Sequence, residues 1–308
     1  MFPLRARGVG VDIGMTRVRA VALKKRGRQF ILTGVGMGDL PPQADDATAA
    51  RTIKATLQQA GARPHDAVCA AIGGPGVVIK GLTKPPALPL AQVLGWVRYD
   101  FQQHGLLPAE EAVFDAQVLG TTAEGQMHML AVCAPRRLME QRLRLLQLAG
   151  VTARLVDVEP LALLNAVLML QGDAGADTLV MLCLESDGPF LCIYHPAAGV
   201  PLVHYFQGRE HGIDKMIEEI RASIGYFRSE VGMESALRCV YCAQEGVFAG
   251  LKDELQRLLT LWNTTGHPTP FNPLLELAWQ RSILPAGSSM EELGPQLAQA
   301  VGLALRAL

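Results

Sequence analysis

The sequence predicts an α/β fold of two similar lobes, with a smaller subdomain inserted into the first lobe. An order of three strands, a helix and a strand begins near residue 8 and recurs near residue 179. A Gly-Asp-Ala-Gly stretch at 172–175 marks a boundary between the two copies. A unit of different character interrupts the first copy. The predicted ranges are 8–172 for the first lobe, about 85–150 for the inserted subdomain, and 176–308 for the second lobe.

The first lobe is predicted to begin with an antiparallel meander, because three apolar runs are separated only by tight turns. These runs are at 9–13, 18–23 and 30–35. A helix at 46–60 ends before Gly61, and the continuously apolar run 67–72 predicts a fully buried strand. This order, continued by a further helix and strand, is the ribonuclease-H-like topology on which actin-like folds are built, and other α/β folds share it.

The inserted unit is predicted to contain a helix at 90–104, strands at 113–119 and 127–133, and a helix at 135–149. Pro135 at the start of this second helix and Gly150 just past its end are residues favoured at helix boundaries. The first lobe then resumes with a strand at 153–158 and a helix from Pro160 to about Gln171.

The second lobe repeats the meander, helix and strand of the first lobe. Its predicted elements are strands at 179–184, 190–195 and 200–206, a helix at 212–231, a strand at 238–242, and helices at 247–262 and 291–308. Because two such lobes face one another, the prediction includes a cleft between them.

The composition is that of a globular protein, with 308 residues of which 49% are apolar and 19% charged. A net charge of −1 gives no electrostatic reason to expect a nucleic-acid partner. The mean hydropathy of +0.20 is high, yet no stretch reaches the ~20 apolar residues of a membrane-spanning helix. The first residues also lack the apolar core of a secretory signal. These features predict a cytoplasmic protein.

Several ordered segments resemble the PilM family of actin-like proteins of type IV pilus and competence-pilus assembly. They are 129–165, parts of 88–120, 218–227 and Pro270-Phe271-Asn272-Pro273. The resemblance implies an actin-like fold and a position peripheral to the inner membrane, among other pilus assembly components. It also implies a groove, between the first lobe and the inserted subdomain, that binds the N-terminal tail of a PilN-like inner-membrane protein. Residues 80–101, with Trp96 and Phe101, are a candidate wall; the alternative is that both aromatic residues belong to the core. Self-association into a homo-oligomer is left open.

Residues around Asp12 resemble the first phosphate loop of actin-like ATPases. The resemblance implies that Asp12 could hold hydrated Mg²⁺ and that Gly14, Met15, Thr16 and Arg19 could contact phosphates. The alternative is an ordinary hairpin turn. Gly208 matches part of a second glycine element of the family.

The other nucleotide motifs depart from the family pattern. The second phosphate loop has Asp187, Gly188 and Pro189, and proline removes a donor N–H group. Ala243 and Gln244 replace a glycine pair of the adenosine loop. No residue is identified as a hydrolytic base. We therefore expect weak or absent binding of ATP with Mg²⁺ and no vigorous turnover. An active actin-like ATPase that regulates pilus assembly is the alternative, and a secretion-system or MSHA-type relative is a third.

Three further patterns receive structural interpretations. The six cysteines lie mostly in apolar runs, and Cys239 and Cys242, although spaced like a redox pair, fall in a predicted strand where their side chains point to opposite faces. The seven histidines show no zinc-binding spacing. A set of four arginines on one helix predicts a solvated face or a contact with acidic lipid headgroups or a partner; these are Arg136, Arg137, Arg142 and Arg144.

Overall fold

The structure is a computed structural model that describes residues 7–84, 89–104, 111–121, 125–172, 175, 177–184, 188–206, 212–232, 235–243, 245–262, 267–279, 283–285 and 287–308. The strands are β1 (Arg7–Ile13), β2 (Arg17–Arg26), β3 (Gln29–Asp39), β4 (Ala67–Ile72), β5 (Val78–Lys84), β6 (Ala112–Thr121), β7 (Met127–Pro135), β8 (Leu155–Val158), β9 (Thr178–Cys183), β10 (Phe190–Tyr194), β11 (Leu202–Tyr205), β12 (Leu237–Cys242) and β13 (Thr269–Pro270). The helices are α1 (Asp46–Gln59), α2 (Val93–Gln103), α3 (Arg136–Leu148), α4 (Glu159–Gln171), α5 (Ile213–Val231), α6 (Glu245–Leu261) and α7 (Met290–Ala307).

The first lobe is a five-stranded sheet of order β3-β2-β1-β4-β8. The first three strands form the predicted antiparallel meander, and β4 and β8 run parallel to β1. The sheet is covered on both faces, which is why β4 is apolar throughout. The helices α1 and α3 pack on one face, and α4 and α7 pack on the other.

The helix α1 forms where the sequence predicts it, because both of its ends carry suitable signals. The Asp45 carboxylate caps the start by accepting a hydrogen bond from the Thr48 backbone N–H at 2.8 Å. Gly61, with φ of 66°, follows the end in the left-handed conformation that glycine adopts easily.

The inserted subdomain is a three-stranded sheet of order β5-β7-β6, with α2 packed against it. Strand β5 has no counterpart among the predicted elements. Helix α3, which the sequence analysis groups with the insert, packs against α1 and the first sheet through Leu145, Leu146 and Ala149. The packed unit of the insert therefore runs from β5 to β7, and α3 is the helix between β7 and β8 that covers the first lobe.

The second lobe repeats this plan in a sheet of order β11-β10-β9-β12-β13. One face of the sheet is covered by α5 and α6. The other face packs toward the first lobe. The predicted α/β fold of two lobes with similar element order is confirmed.

Helix α7 joins the two lobes, although it follows the second in the sequence. Gly8 and Gly10 of β1 let it approach closely: a Cβ at Gly10 would lie 2.1 Å from the Ala300 carbonyl oxygen. Helix α7 also contributes to one hydrophobic cluster that contains Leu163 of α4 and Phe190 of β10. The lobes therefore share a single core.

The far end of the inserted subdomain also contacts the second lobe. The His128 Nε2 atom lies 3.3 Å from the Ala198 carbonyl oxygen. A Cβ at Gly81 of β5 would stand 3.4 Å from Val200. The insert thus links the two lobes at a second place, away from their common core.

Within the part of the chain that the structure describes, no helix combines the length and apolar character needed to cross a membrane.

Candidate functional site

A cleft of about 500 Å³ opens at one edge of the first sheet. Parallel strands place their carboxyl ends at the same edge, so the residues that follow β1, β4 and β8 come together there. Asp12 lies one residue before the end of β1, the Gly73-Gly74-Pro75 turn follows β4, and Glu159 follows β8; all of them line the cleft. The cleft lies at the root of the inserted subdomain, between the turn that leads into it and helix α3.

The walls of the cleft are largely apolar. Leu138 and Leu145 of α3 form one wall, and Leu40 and Ala44 before α1 form the other. Met15 stands at the mouth, where 75% of its surface is exposed. A methionine so exposed beside an apolar wall is available to a ligand without rearrangement of the core.

Three hydrogen bonds fix the turn between β1 and β2. Its own closing bond runs from the Gly14 N–H to the Arg17 carbonyl oxygen at 2.9 Å, and the Leu40 N–H donates to the Thr16 carbonyl oxygen at 2.8 Å. The Arg142 guanidinium of α3 donates to the Ile13 carbonyl oxygen at 2.7 Å. The mouth of the cleft therefore has a fixed shape.

Charged groups at the floor of the cleft balance one another. Arg19 is buried and pairs with Asp12 at 3.3 Å. Burial lowers the pKa of Arg142, while the nearby carboxylates of Glu159 and Asp12 raise it. An arginine stays protonated at neutral pH. The floor thus holds two arginines and two carboxylates.

The glycines of the turn after β4 make room for this arrangement. A Cβ at Gly73 would lie 2.1 Å from a Glu159 carboxylate oxygen, so the carboxylate occupies the place of a side chain. Gly74 has φ of 102°, a backbone conformation that favours glycine. Tyr205 of the second lobe lies against Gly74, and burial raises the pKa of its hydroxyl. The inner end of the cleft is therefore closed by the second lobe.

The structure brings most of the predicted site residues together. Asp12, Gly14, Met15 and Arg19 line the cleft, and Thr16 lies in the same turn with its carbonyl oxygen bonded to Leu40. The predicted site residue Gly208 lies outside the described residues, as do Asp187 and Gln244 of the two motifs that depart from the family pattern. Arg142, Glu159, Gly73 and Gly74 are site residues that the sequence analysis did not assign. A Gly-Gly-Pro turn directly after a fully apolar strand is the signal that could have identified the last two.

Asp12 and Arg19 line the cleft of about 500 Å³ on one side and a much smaller space on the other. On the side facing the second lobe, the space beside Asp12 and Arg19 is about 10 Å³ and is lined by Cys183, Cys242 and Gln299; that is room for about one water molecule. The Asp12 carboxylate is already held by Arg19, and the Gly14 amide is used within its turn.

Part of the predicted peptide wall belongs to the core instead. Phe101 is completely buried in the core of the insert, so a role in a groove wall is wrong. Trp96 is partly buried against the same core. Lys80 pairs with Asp100 of α2 at 2.9 Å. The core alternative therefore holds for Phe101, and the rest of the wall at 80–101 stays a prediction, because helical periodicity alone does not distinguish the core side of a helix from a groove side.

The structural interpretation of the cysteines is confirmed. All six are free and buried, and Cys239 and Cys242 lie in different hydrophobic clusters on opposite faces of the second sheet. Burial raises the pKa of the Cys239 thiol to about 12, which leaves it unreactive at neutral pH. In the described ranges, no group of three or more His, Cys, Asp or Glu side chains is arranged to hold a metal ion.

Comparison with known proteins identifies the family and the fold. A family model described as type IV pilus assembly protein PilM matches residues 10–184. A solved structure described as the PilM-PilN type IV pilus biogenesis complex superposes with a TM-score of 0.80 at 20% identity, covering 97% of this chain and 98% of that one. A Bacteroides thetaiotaomicron protein with an actin-like ATPase fold and unknown function superposes with a TM-score of 0.52 at 9% identity, over 87% and 92% of the chains. The fold is therefore actin-like, as predicted. Because the family model spans more than half of the sequence, the chain belongs to the PilM family of type IV pilus assembly proteins.

Proposed function

We propose that this protein is a scaffold of type IV pilus assembly, located in the cytoplasm at the inner membrane, that binds the N-terminal tail of a PilN-like membrane protein. Membership of the PilM family supports the assembly role. The similar structure of a PilM-PilN complex, matched over nearly the full length of both chains, supports a partner of the PilN type.

The cleft beside Met15 is the proposed docking site for the tail. It lies at the root of the inserted subdomain, its walls are apolar, and its mouth is held by hydrogen bonds rather than by a mobile side chain. An extended peptide suits such a site, since apolar pockets select alternate side chains while the backbone supplies hydrogen bonds. Because the arginines and carboxylates at the floor balance one another, we expect the apolar walls rather than charge to select the peptide.

Nucleotide binding is proposed to be weak or absent, and catalysis is not part of the function. This proposal is supported by the Asp12–Arg19 ion pair and by the small space between Asp12 and the second lobe. One observation supports the alternative of an active ATPase: Glu159 places a second carboxylate in the same cleft as Asp12.

The proposal is tested by calorimetry with a synthetic peptide of the PilN N-terminal tail and, separately, with Mg·ATP. The variant Met15→Asp places a charge at the mouth of the cleft and is expected to weaken peptide binding at least about tenfold. Leu261→Asp is the matched control, because Leu261 is 72% exposed at the end of α6 and remote from the cleft. It is expected to bind the peptide as the parent protein does.

Two results would contradict the proposal. Equal peptide affinity of the Met15 and Leu261 variants would remove the cleft as the docking site. Tight binding of Mg·ATP with steady phosphate release would favour the ATPase alternative.

A further inference from the structure

Opposite the cleft, the other edge of the first lobe carries a dense group of cations. Strands β1, β4 and β8 begin there, α1 and α3 end there, and the hairpin of β2 and β3 turns there. We call this the basic edge, and its exposed cations are Lys24, Lys25, Arg26, Arg28, Arg63 and Arg154.

Pairing and hydrogen bonds bring these residues to one place. Lys24 faces Arg7 at the start of β1, and the hairpin continues past it to the Arg26–Gln29 pair. The Arg154 N–H donates to the Val68 carbonyl oxygen at 2.8 Å, which sets Arg154 beside the start of β4. The Arg63 N–H donates to Asp66 in the loop that leads into the same strand.

The basic edge is poorly neutralised by the protein itself. None of its six cations forms an ion pair within the described ranges. Asp66 is nearby but pairs with Arg7 at 3.3 Å. Glu276 is two residues from Ala278, whose N–H donates to the Phe30 carbonyl oxygen, and it forms no ion pair with these cations among the described residues. In a chain with a net charge of −1, this edge therefore concentrates positive charge that the rest of the molecule offsets.

Apolar side chains accompany the cations. Leu148, the last residue of α3, is 55% exposed, and Leu155 at the start of β8 is 37% exposed. Exposed leucines among lysines and arginines suit the boundary between lipid headgroups and acyl chains. Nucleic acid has phosphates but no apolar layer for the two leucines. An acidic protein partner would need a complementary concave surface, and a protruding hairpin tip does not provide one.

We propose that the basic edge binds the anionic headgroups of a lipid bilayer. The charge attraction supplies most of the affinity, and the two leucines enter the interface beside it. This site is independent of peptide binding in the cleft, because the two lie at opposite ends of the same strands.

The test uses sedimentation of the full chain with vesicles of phosphatidylcholine alone or mixed with phosphatidylglycerol. We expect binding only to the vesicles with phosphatidylglycerol, and we expect it to fall as sodium chloride is added. The variant Arg26→Glu, Arg28→Glu, Arg63→Glu should bind at least about tenfold more weakly. The control Lys215→Glu, Arg221→Glu, Lys252→Glu makes the same charge change in the second lobe and should bind as the parent protein does.

Unchanged thermal melting of both variants, followed by circular dichroism, establishes that they are folded. Equal binding to both kinds of vesicle, or equal loss in the two variants, would overturn the proposal. Binding to polyglutamate or to a nucleic-acid duplex without binding to phosphatidylglycerol would assign the basic edge to a protein or nucleic-acid partner instead, and the lipid proposal would be wrong.

Discussion

Arg142 is the residue on which the floor of the cleft depends most. It joins α3 to the turn after β1, through the Ile13 carbonyl oxygen, and its charge offsets those of Glu159 and Asp12. The sequence analysis grouped it with three solvated arginines. It differs from them because helical periodicity turns its side chain toward the sheet.

Replacing Arg142 with methionine should destabilise the fold. Met retains the length of the side chain but leaves the Ile13 carbonyl oxygen without this donor and the two carboxylates less compensated, so we expect a loss of about 2 kcal/mol in the free energy of unfolding. Urea denaturation measures it. Arg137→Met, on an exposed position of the same helix, is the control and should change stability by less than about 0.5 kcal/mol. Similar losses in both variants would contradict the role given to Arg142.

Asp157 should make stability depend on pH. It lies on β8, where burial raises the pKa of its carboxyl despite a hydrogen bond from the Val158 N–H and the nearby charge of Arg306. A carboxyl whose pKa is higher in the folded protein favours folding at low pH and costs stability as the pH rises through that value. Asp157→Asn still accepts the Val158 bond. It should therefore be more stable than the parent protein at pH 7, with a gap that shrinks toward pH 4, as measured by urea denaturation. A gap that widens on acidification would show that the ion pair with Arg306 dominates.

The sequence predicted the residues of the site that are close together in the chain. Asp12, Gly14, Met15 and Arg19 surround one turn between two strands, and the pattern of a turn is local. Arg142 and Glu159 reach the same cleft from elements more than a hundred residues away. Their arrival depends on the order of strands in the sheet and on the rotation of α3, neither of which a local pattern specifies.

At the scale of elements, β1 and α7 pack in close contact, and Gly10 makes this possible. Gly10→Ala would place a methyl group 2.1 Å from the Ala300 carbonyl oxygen, so helix and strand must move apart. We expect a loss of about 1–3 kcal/mol in the free energy of unfolding, measured by urea denaturation. Gly95→Ala is the control. Gly95 lies in α2 with no atom near its added Cβ, and alanine there should stabilise the helix by up to about 1 kcal/mol. If Gly10→Ala leaves the free energy of unfolding unchanged, then α7 can move away from β1 at little cost.

Most elements are predictable because they have a strong periodicity, as α1 has, or a continuous apolar run, as β4 has. Strand β5 was missed. Its sequence, Val-Ile-Lys-Gly-Leu-Thr-Lys, contains a glycine and two lysines, and it is a strand because β7 pairs with it along its whole length. The packing of α3 is also not predictable from the sequence, since a helix that follows the insert can pack either on the insert or on the first sheet.

At the scale of the whole molecule, the shared core should make the two lobes unfold together. One hydrophobic cluster contains residues of both sheets together with α4 and α7, and the insert contacts the second lobe at His128. Breaking one lobe therefore exposes apolar surface of the other. Differential scanning calorimetry should show one transition, with a van't Hoff enthalpy close to the calorimetric one. Two separated transitions would mean that the common core contributes little.

The position of α7 has a consequence for synthesis on the ribosome. Strand β1 is made first, yet the helix that covers one of its faces comes from residues 290–307. The first lobe therefore cannot bury that face until α7 has been translated, and this long-range closure slows folding. Until then the same face of the sheet, which carries Val21 and Leu23 of β2 and Cys69 of β4, is available to chaperones and to other nascent chains. We therefore expect the yield of folded protein in the cell to depend on chaperones that bind this face until α7 has been made.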